Sequence, residues 1–289
     1  MNGFKSTKES INRSSIKSNI LSNIIITFEY KGLNDLESNV TKIIEGVEEE
    51  FDYYDVIELQ DTNIDISEFL DRAKENFYKS NCFVIRTKDE NEELIVNKYF
   101  VQYNIRCDKY KKFSYYRDIL NRVISNLKKV TQFYKPIRLS HRKINSCIIK
   151  DIKKIYDYFE YEYYSSPYFN KDILKNTDNM DNFISLESSN KFYKDNFEFE
   201  LITRAGLGEY NNNLAIRVIA DIRGSVGSEL LNKEKDIKYK DMLNQINAEL
   251  FNAFKEVLTE KFLNEMITKN WDDKIIEGVN SNDWFQRKI

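Results

Sequence analysis

The chain has 289 residues, of which 41% are hydrophobic and 31% charged, with a formal net charge of −3. That supports a core for one large domain or two modest ones of about 100–200 residues. It excludes a disordered polymer and, by bulk charge, a polyanion binder. Eight glycines and two prolines favour regular elements over long loops.

Residues 1–18 are polar and rich in Ser, Lys and Asn. They read as a flexible tail, and with no apolar stretch after the basic positions they do not read as a secretory signal. Ile24 to Tyr30 is β-branched and aromatic, a first strand. Asn34 with Glu37 has capping-box spacing, and Leu36, Val40, Ile43, Ile44 and Val47 follow at helical steps. A strand is expected over Tyr54–Leu59. Ser67 would cap a helix with Phe69, Leu70, Ala73 and Phe77 inside. Cys82–Thr87 and Leu94–Ile105 read as a hairpin around a charged turn.

Ser114 opens a helix with Ile119, Leu120, Val123, Ile124, Leu127 and Val130 on one face, and Pro136 stops it. Ile137–Ile149 is a long strand. The Tyr- and Phe-dense residues 156–169 and a polar connector, 170–182, come next. Three strands are expected near 183–188, 196–204 and 213–223, with a turn at Asn211–Asn213. Apolar residues from Leu243 to Met266 predict one helix over about 239–268.

The expected fold is α+β: antiparallel sheet hairpins packed on long helices. A strand, a basic loop and a long helix occur at 98–130 and again at 214–268, so two related β-β-α halves are one reading. The expected organisation is a tail (1–18), an N-terminal half (19–150) and a C-terminal half (151–289) ending in a long helix. A single compact unit is the other reading.

The search for chemistry yields no catalytic residue, metal site or cofactor. Cys82, Cys107 and Cys147 are widely spaced without a CxxC pair, and His141 is the single histidine. Buried, reduced thiols in a cytoplasmic protein follow. His141 lies beside Ser140, but strand neighbours face opposite ways and no orienting carboxylate is evident, so a hydrogen-bonded structural histidine is the simpler reading. Gly206-Leu207-Gly208 and Gly224-Ser225-Val226-Gly227 match no phosphate loop and read as ordinary turns. Asp221 ends the apolar run Val218-Ile219-Ala220, where a metal-dependent phosphodiesterase places a ligand, but it lacks motif partners. Glu48-Glu49-Glu50 with Asp52 and Asp55 reads as a solvated helix end, with a cation or partner site as the alternative. No apolar run approaches the roughly 18 residues that cross a bilayer, so no membrane association is expected.

Two surfaces stand out. No acidic residue falls between Asp118 and Asp151, a stretch holding Lys128, Lys129, Arg138 and Arg142 with Phe133 and Tyr134. Arg106, Lys111, Tyr110 and Tyr116 lie just upstream. Cations interleaved with rings suit single-stranded nucleic acid over residues 106–150, against the alternative of an ordinary cationic face. The second is the aromatic run containing Tyr158, Tyr161, Tyr163 and Tyr164, which as an exposed cluster would serve a protein partner or self-association.

Four segments carry a resemblance. They are Asn97–Asn104, Tyr110 to Tyr116-Arg117, Arg138-Leu139-Ser140-His141-Arg142-Lys143-Ile144-Asn145, and Val218–Ile222 with the helix through Leu243, Phe254 and Leu263. Together they resemble a sporadically distributed family of uncharacterised bacterial proteins. Lys143 departs from the aromatic residue usual there. The resemblance implies one full-length unit encoded on mobile or accessory genes, with no established enzyme activity and no catalytic residues to carry over. The leading expectation is a non-enzymatic protein-binding subunit of a mobile module, in antiphage defence or resembling a toxin–antitoxin pair. A nucleic-acid binder is the alternative, and a phosphodiesterase at Asp221 the remote one.

Overall fold

The computed structural model describes residues 8, 10–17, 19–58, 81–107, 110–131, 133–151, 154–165, 185–210, 213–232, 239–268, 276–277 and 286–287. The expected helix at 67–77, the connector at 170–182 and the turn residues 211 and 212 lie outside them. The fold is α+β. In chain order the elements are β1 (Leu21–Lys31), α1 (Val40–Ile44), β2 (Tyr53–Glu58), β3 (Asn81–Arg86), β4 (Glu92–Val96), β5 (Phe100–Arg106) and α2 (Phe113–Val130). Then come β6 (Lys135–Ile149), α3 (Ile155–Tyr158), α4 (Tyr161–Tyr164), β7 (Ser185–Lys194), β8 (Phe197–Tyr210) and β9 (Asn213–Gly227). Last are α5 (Ser228–Leu231), α6 (Tyr239–Val257), α7 (Glu260–Thr268), β10 (Ile276–Glu277) and β11 (Gln286–Arg287).

The strands hydrogen-bond in the order β11-β8-β9-β6-β1-β5-β4-β3-β2, with β10 beside β6 and β7 beside β8. The described residues fall into two compact units. The first takes 24–141 and 225–244; the second takes the described parts of 1–23, 142–224 and 245–289. This division is not sequential, because each unit is assembled from separated stretches of chain.

In the first unit, alternation in β1 buries Ile24, Ile26, Phe28 and Tyr30, while Ile25, Thr27 and Glu29 stay half-exposed. Helix α2 buries Ile119, Leu120, Val123, Ile124 and Leu127 at full depth, each contributing about 1.5–3 kcal/mol by leaving water. The short helix α1 packs against it. The expected capping box is replaced: Asp35, not Asn34, accepts the Ser38 N–H at 3.1 Å. Gly46, at φ +76, lies just past the end of α1, a left-handed position that suits glycine.

The expected strand Leu94–Ile105 is two strands. Asn97 Oδ1 accepts the Tyr99 N–H at 3.0 Å, and Asn97 N–H donates to Phe100 O at 2.8 Å, folding the chain back on itself. Register then pairs Val96 with Val101 and Leu94 with Tyr103.

In the second unit, β7 and β8 form a hairpin through Asp195 and Asn196, both at positive φ (+51 and +66), as a two-residue turn between antiparallel strands requires. The two glycine clusters are not turns: Gly206–Gly208 lies within β8 and Gly224–Gly227 closes β9. Phe159 and Phe262 meet at 5.6 Å, Phe159 and Tyr164 at 5.0 Å, with Leu250, Val257, Leu258 and Leu263 fully buried alongside.

The expected helix 239–268 is broken at Leu258 and Thr259. Leu258 makes a β-bridge with Phe159, Thr259 N–H donates to Tyr158 O at 2.9 Å, and Thr259 Oγ1 accepts the Phe262 N–H at 3.2 Å as the cap of α7. The expected free tail is anchored where described. Lys17 N–H bonds Met266 O at 2.9 Å, and the buried Lys8 Nζ donates to Glu160 at 2.8 Å. Among the described residues no helix is long and apolar enough to cross a membrane.

Candidate functional site

The basic segment is distributed over both units. Lys128 and Lys129 are exposed in the last turn of α2, where cations favour the negative end of the helix dipole. Lys128 Nζ sits 4.5 Å from the Tyr239 ring centroid, and Lys129 Nζ donates to Asn126 Oδ1 at 3.2 Å. Half-buried Arg138 donates from Nη2 to Ser225 Oγ at 3.1 Å. These three residues belong to the first unit and Arg142 to the second.

Arg142 is not presented as an open cation. Its Nε donates to Asp221 Oδ1 at 2.8 Å and its Nη2 to Oδ2 at 2.6 Å. Arg204 Nη1 lies 3.6 Å from the same carboxylate. The ladder of charges continues through Arg204 to Glu187 at 2.6 Å, and Glu200 lies between Lys191 at 3.7 Å and Arg223 at 3.9 Å. Asp221, 2% exposed, is therefore held by two guanidiniums, an arrangement that neutralises it in place. The described residues contain no group of three His, Cys, Asp or Glu side chains placed for a metal ion.

His141 is fully buried, its ring parallel to Phe113 at 4.9 Å. It packs the core and has no route to a substrate in solvent. Cys82 and Cys147 are buried free thiols, and Cys107 is half-buried.

The described part of the aromatic run, residues 156–165, is mostly core, and Tyr168 and Phe169 lie outside the described residues. Tyr158 and Tyr164 are buried and Tyr163 is half-buried, while Tyr161 reaches 38% exposure. Tyr164 OH donates to Ile219 O at 3.1 Å, and Thr203 Oγ1 donates to Tyr163 O at 2.8 Å. Such rings fill space between short helices and strands, which spacing in the sequence cannot distinguish from an interface patch.

The first unit carries a cleft of about 500 Å³ whose wall includes Glu92, Arg106, Lys111 and Tyr116. Buried Glu92 accepts from Tyr103 OH through Oε2, and Lys111 Nζ lies 2.8 Å from its Oε1. Burial and the adjacent Glu92 charge raise the Tyr103 phenol. Burial alone would lower the Lys111 ammonium, but bonds to Glu92 and Tyr115 outweigh it and raise it instead. Glu92 and Lys111 are thus paired with each other in the wall of the cleft, which also includes Asp52 and Asp89.

Sequence reading gave the strand at Tyr54–Leu59 and, as an alternative, a partner site at the acids Glu48–Glu50, Asp52 and Asp55, but missed the exposed apolar edge of β2 between them. This strand pairs with β3 (Tyr53 opposite Arg86, Val56 opposite Phe83) and ends the strand order. Tyr53, Tyr54 and Val56 are 56%, 54% and 46% exposed. Among the described residues no strand pairs with the outer edge of β2. Beside it lies a cleft of about 400 Å³ lined by Val40, Ile44, Phe51, Tyr53, Tyr54 and Ile85. Burial, then the Glu37 charge, raises the Tyr54 phenol. The available signal was the apolar pair flanking Asp55 in a short strand bounded by acids.

No family model and no curated protein matches this chain.

Proposed function

We propose that this chain is a non-enzymatic protein-binding subunit and that its partner docks on the outer edge of β2. The observation that carries the reading is the exposure of Tyr53, Tyr54 and Val56 on a strand at the end of the sheet order. An edge strand offers a row of backbone donors and acceptors, and proteins normally blunt such edges rather than line them with large apolar groups. A partner strand would satisfy that backbone while covering the rings. The Glu92–Lys111 pair and the arginine-held Asp221 favour binding over catalysis. The sequence resemblance adds the setting: an accessory bacterial module encoded on mobile genes, of the antiphage or toxin–antitoxin kind.

The test is capture from the native host with the wild-type chain and with Val56→Lys. A protein recovered stoichiometrically by the wild type and lost with Val56→Lys supports the reading. A monodisperse monomer that retains nothing, or a partner retained equally by both, overturns docking at β2.

A further inference from the structure

We infer that the β2 edge accepts an extended, lysine- or arginine-rich segment of another protein as an added strand. The inference rests on the reading of β2 as the docking edge and supplies the chemistry of the partner.

Charge is the first argument. Glu45, Glu48, Glu49, Glu50, Asp52 and Asp55 are all exposed around the strand. Between residues 35 and 57 the single basic residue is Lys42. Some of this charge is engaged locally. Arg122 lies 3.8 Å from Glu50, and Asp52 Oδ2 accepts the Lys88 N–H at 2.6 Å. Six carboxylates within eleven residues of chain repel each other, and an incoming row of cations relieves that repulsion as it binds.

Backbone geometry is the second. The Val56 N–H is met by Asp55 Oδ1 at 2.8 Å, a side chain acting where a neighbouring strand's carbonyl would act. An added strand replaces that oxygen with its own carbonyl. The displaced Asp55 carboxylate is then available to a lysine or arginine of the incoming segment, so the two steps reinforce each other. Apolar contact is the third: Tyr54 and Val56 share one face of β2, with Tyr54 stacked on Phe83 at 5.9 Å. A ligand alternating basic and apolar residues would therefore set its apolar side chains on these two and direct its cations to the other side.

The experiment uses the full chain and two fluorescent ten-residue peptides, one alternating lysine and valine, the other glutamate and valine, at low and moderate salt. The lysine peptide binds, weakens about tenfold or more as salt rises, and the glutamate peptide does not bind. Neutralising Glu48, Glu49 and Asp55 together (Glu48→Gln, Glu49→Gln, Asp55→Asn) weakens it by about tenfold or more without lowering Tm. Val56→Pro, which removes the N–H, abolishes binding, and Val56→Lys, which keeps the backbone intact, does the same.

Equal binding of both peptides, lost in Val56→Pro, keeps the docking edge and overturns the basic partner. Lysine-peptide binding that survives both Val56 variants is ion pairing without strand addition and overturns the inference. Self-association abolished by Val56→Lys, with neither peptide bound, assigns the edge to a second copy of this chain and overturns it too. Neither binding nor self-association overturns the inference together with docking at β2.

Discussion

Arg142 grips Asp221 through two nitrogens, at 2.8 and 2.6 Å, with the carboxylate 2% and the guanidinium 16% exposed. A pair this deep is maintained because losing either partner strands the other. Arg142→Ala leaves Asp221 with Arg204 alone, at 3.6 Å. The expected cost is about 3–5 kcal/mol in urea unfolding, whereas Arg142→Met with Asp221→Leu costs less than either single change.

That relationship decides how the nucleic-acid alternative is tested. Lys128 and Lys129 are exposed, and replacing both with Glu forfeits the cation–π contact to Tyr239, about 0.5–1 kcal/mol, and sets each new carboxylate against the helix dipole at about 0.3–1 kcal/mol. Lys128→Glu with Lys129→Glu should stay folded with a modestly lowered Tm by circular dichroism, while Arg142→Glu should not fold. Lost affinity for single-stranded DNA is therefore informative in the lysine variant alone, since the Arg142 change removes the binder as well as the charge.

Gly32, just past β1, has φ +106, and a Cβ there would lie 2.1 Å from the Phe133 carbonyl oxygen. The obstacle is backbone, which cannot rotate away as a side chain can. Thr131 Oγ1 donates to Gly32 O at 2.5 Å from the same stretch, so both strands of chain are fixed. Gly32→Ala combines left-handed strain with overpacking. It should lower stability by about 2–4 kcal/mol in chemical denaturation, and Gly46→Ala, with open space around its Cβ position, by less.

Much of the scaffold was legible because its signals are local. The alternation in β1, the apolar stripe from Ile119 to Leu127 and the β6 strand each follow from one periodicity. What was not legible depended on single polar side chains choosing partners. Asn97 turns one apolar run into two strands, and Thr259 ends one helix and caps another. The same holds for the candidate site. Arg142 reads as surface charge in the sequence because nothing there places Asp221 on the neighbouring strand, and spacing alone cannot say which of the tyrosines near 160 the short helices turn inward. The exposure of β2 follows from its place at the end of the strand order, which no residue spacing encodes.

The thiols give the protein a predictable alkaline weakness. Burial pushes the Cys82 thiol up to about 11, although the Asn97 amide, 3.4 Å from Sγ, opposes the shift, and burial raises Cys147 as well. In the unfolded chain both ionise near 8.5. As pH rises past that value the unfolded state loses protons that the folded state keeps, so the stability these thiols contribute is complete below about pH 8 and declines towards 11. Urea midpoints measured at pH 7, 9 and 10 should therefore fall. Cys82→Val should flatten that fall in part, the remainder coming from Cys147 and, near pH 10, from buried phenols such as Tyr103 and Tyr30, which burial also raises. A thiol reagent at pH 8 should modify half-buried Cys107 first and reach the other two only as the chain unfolds, since the thiolate is the reactive form and burial suppresses it.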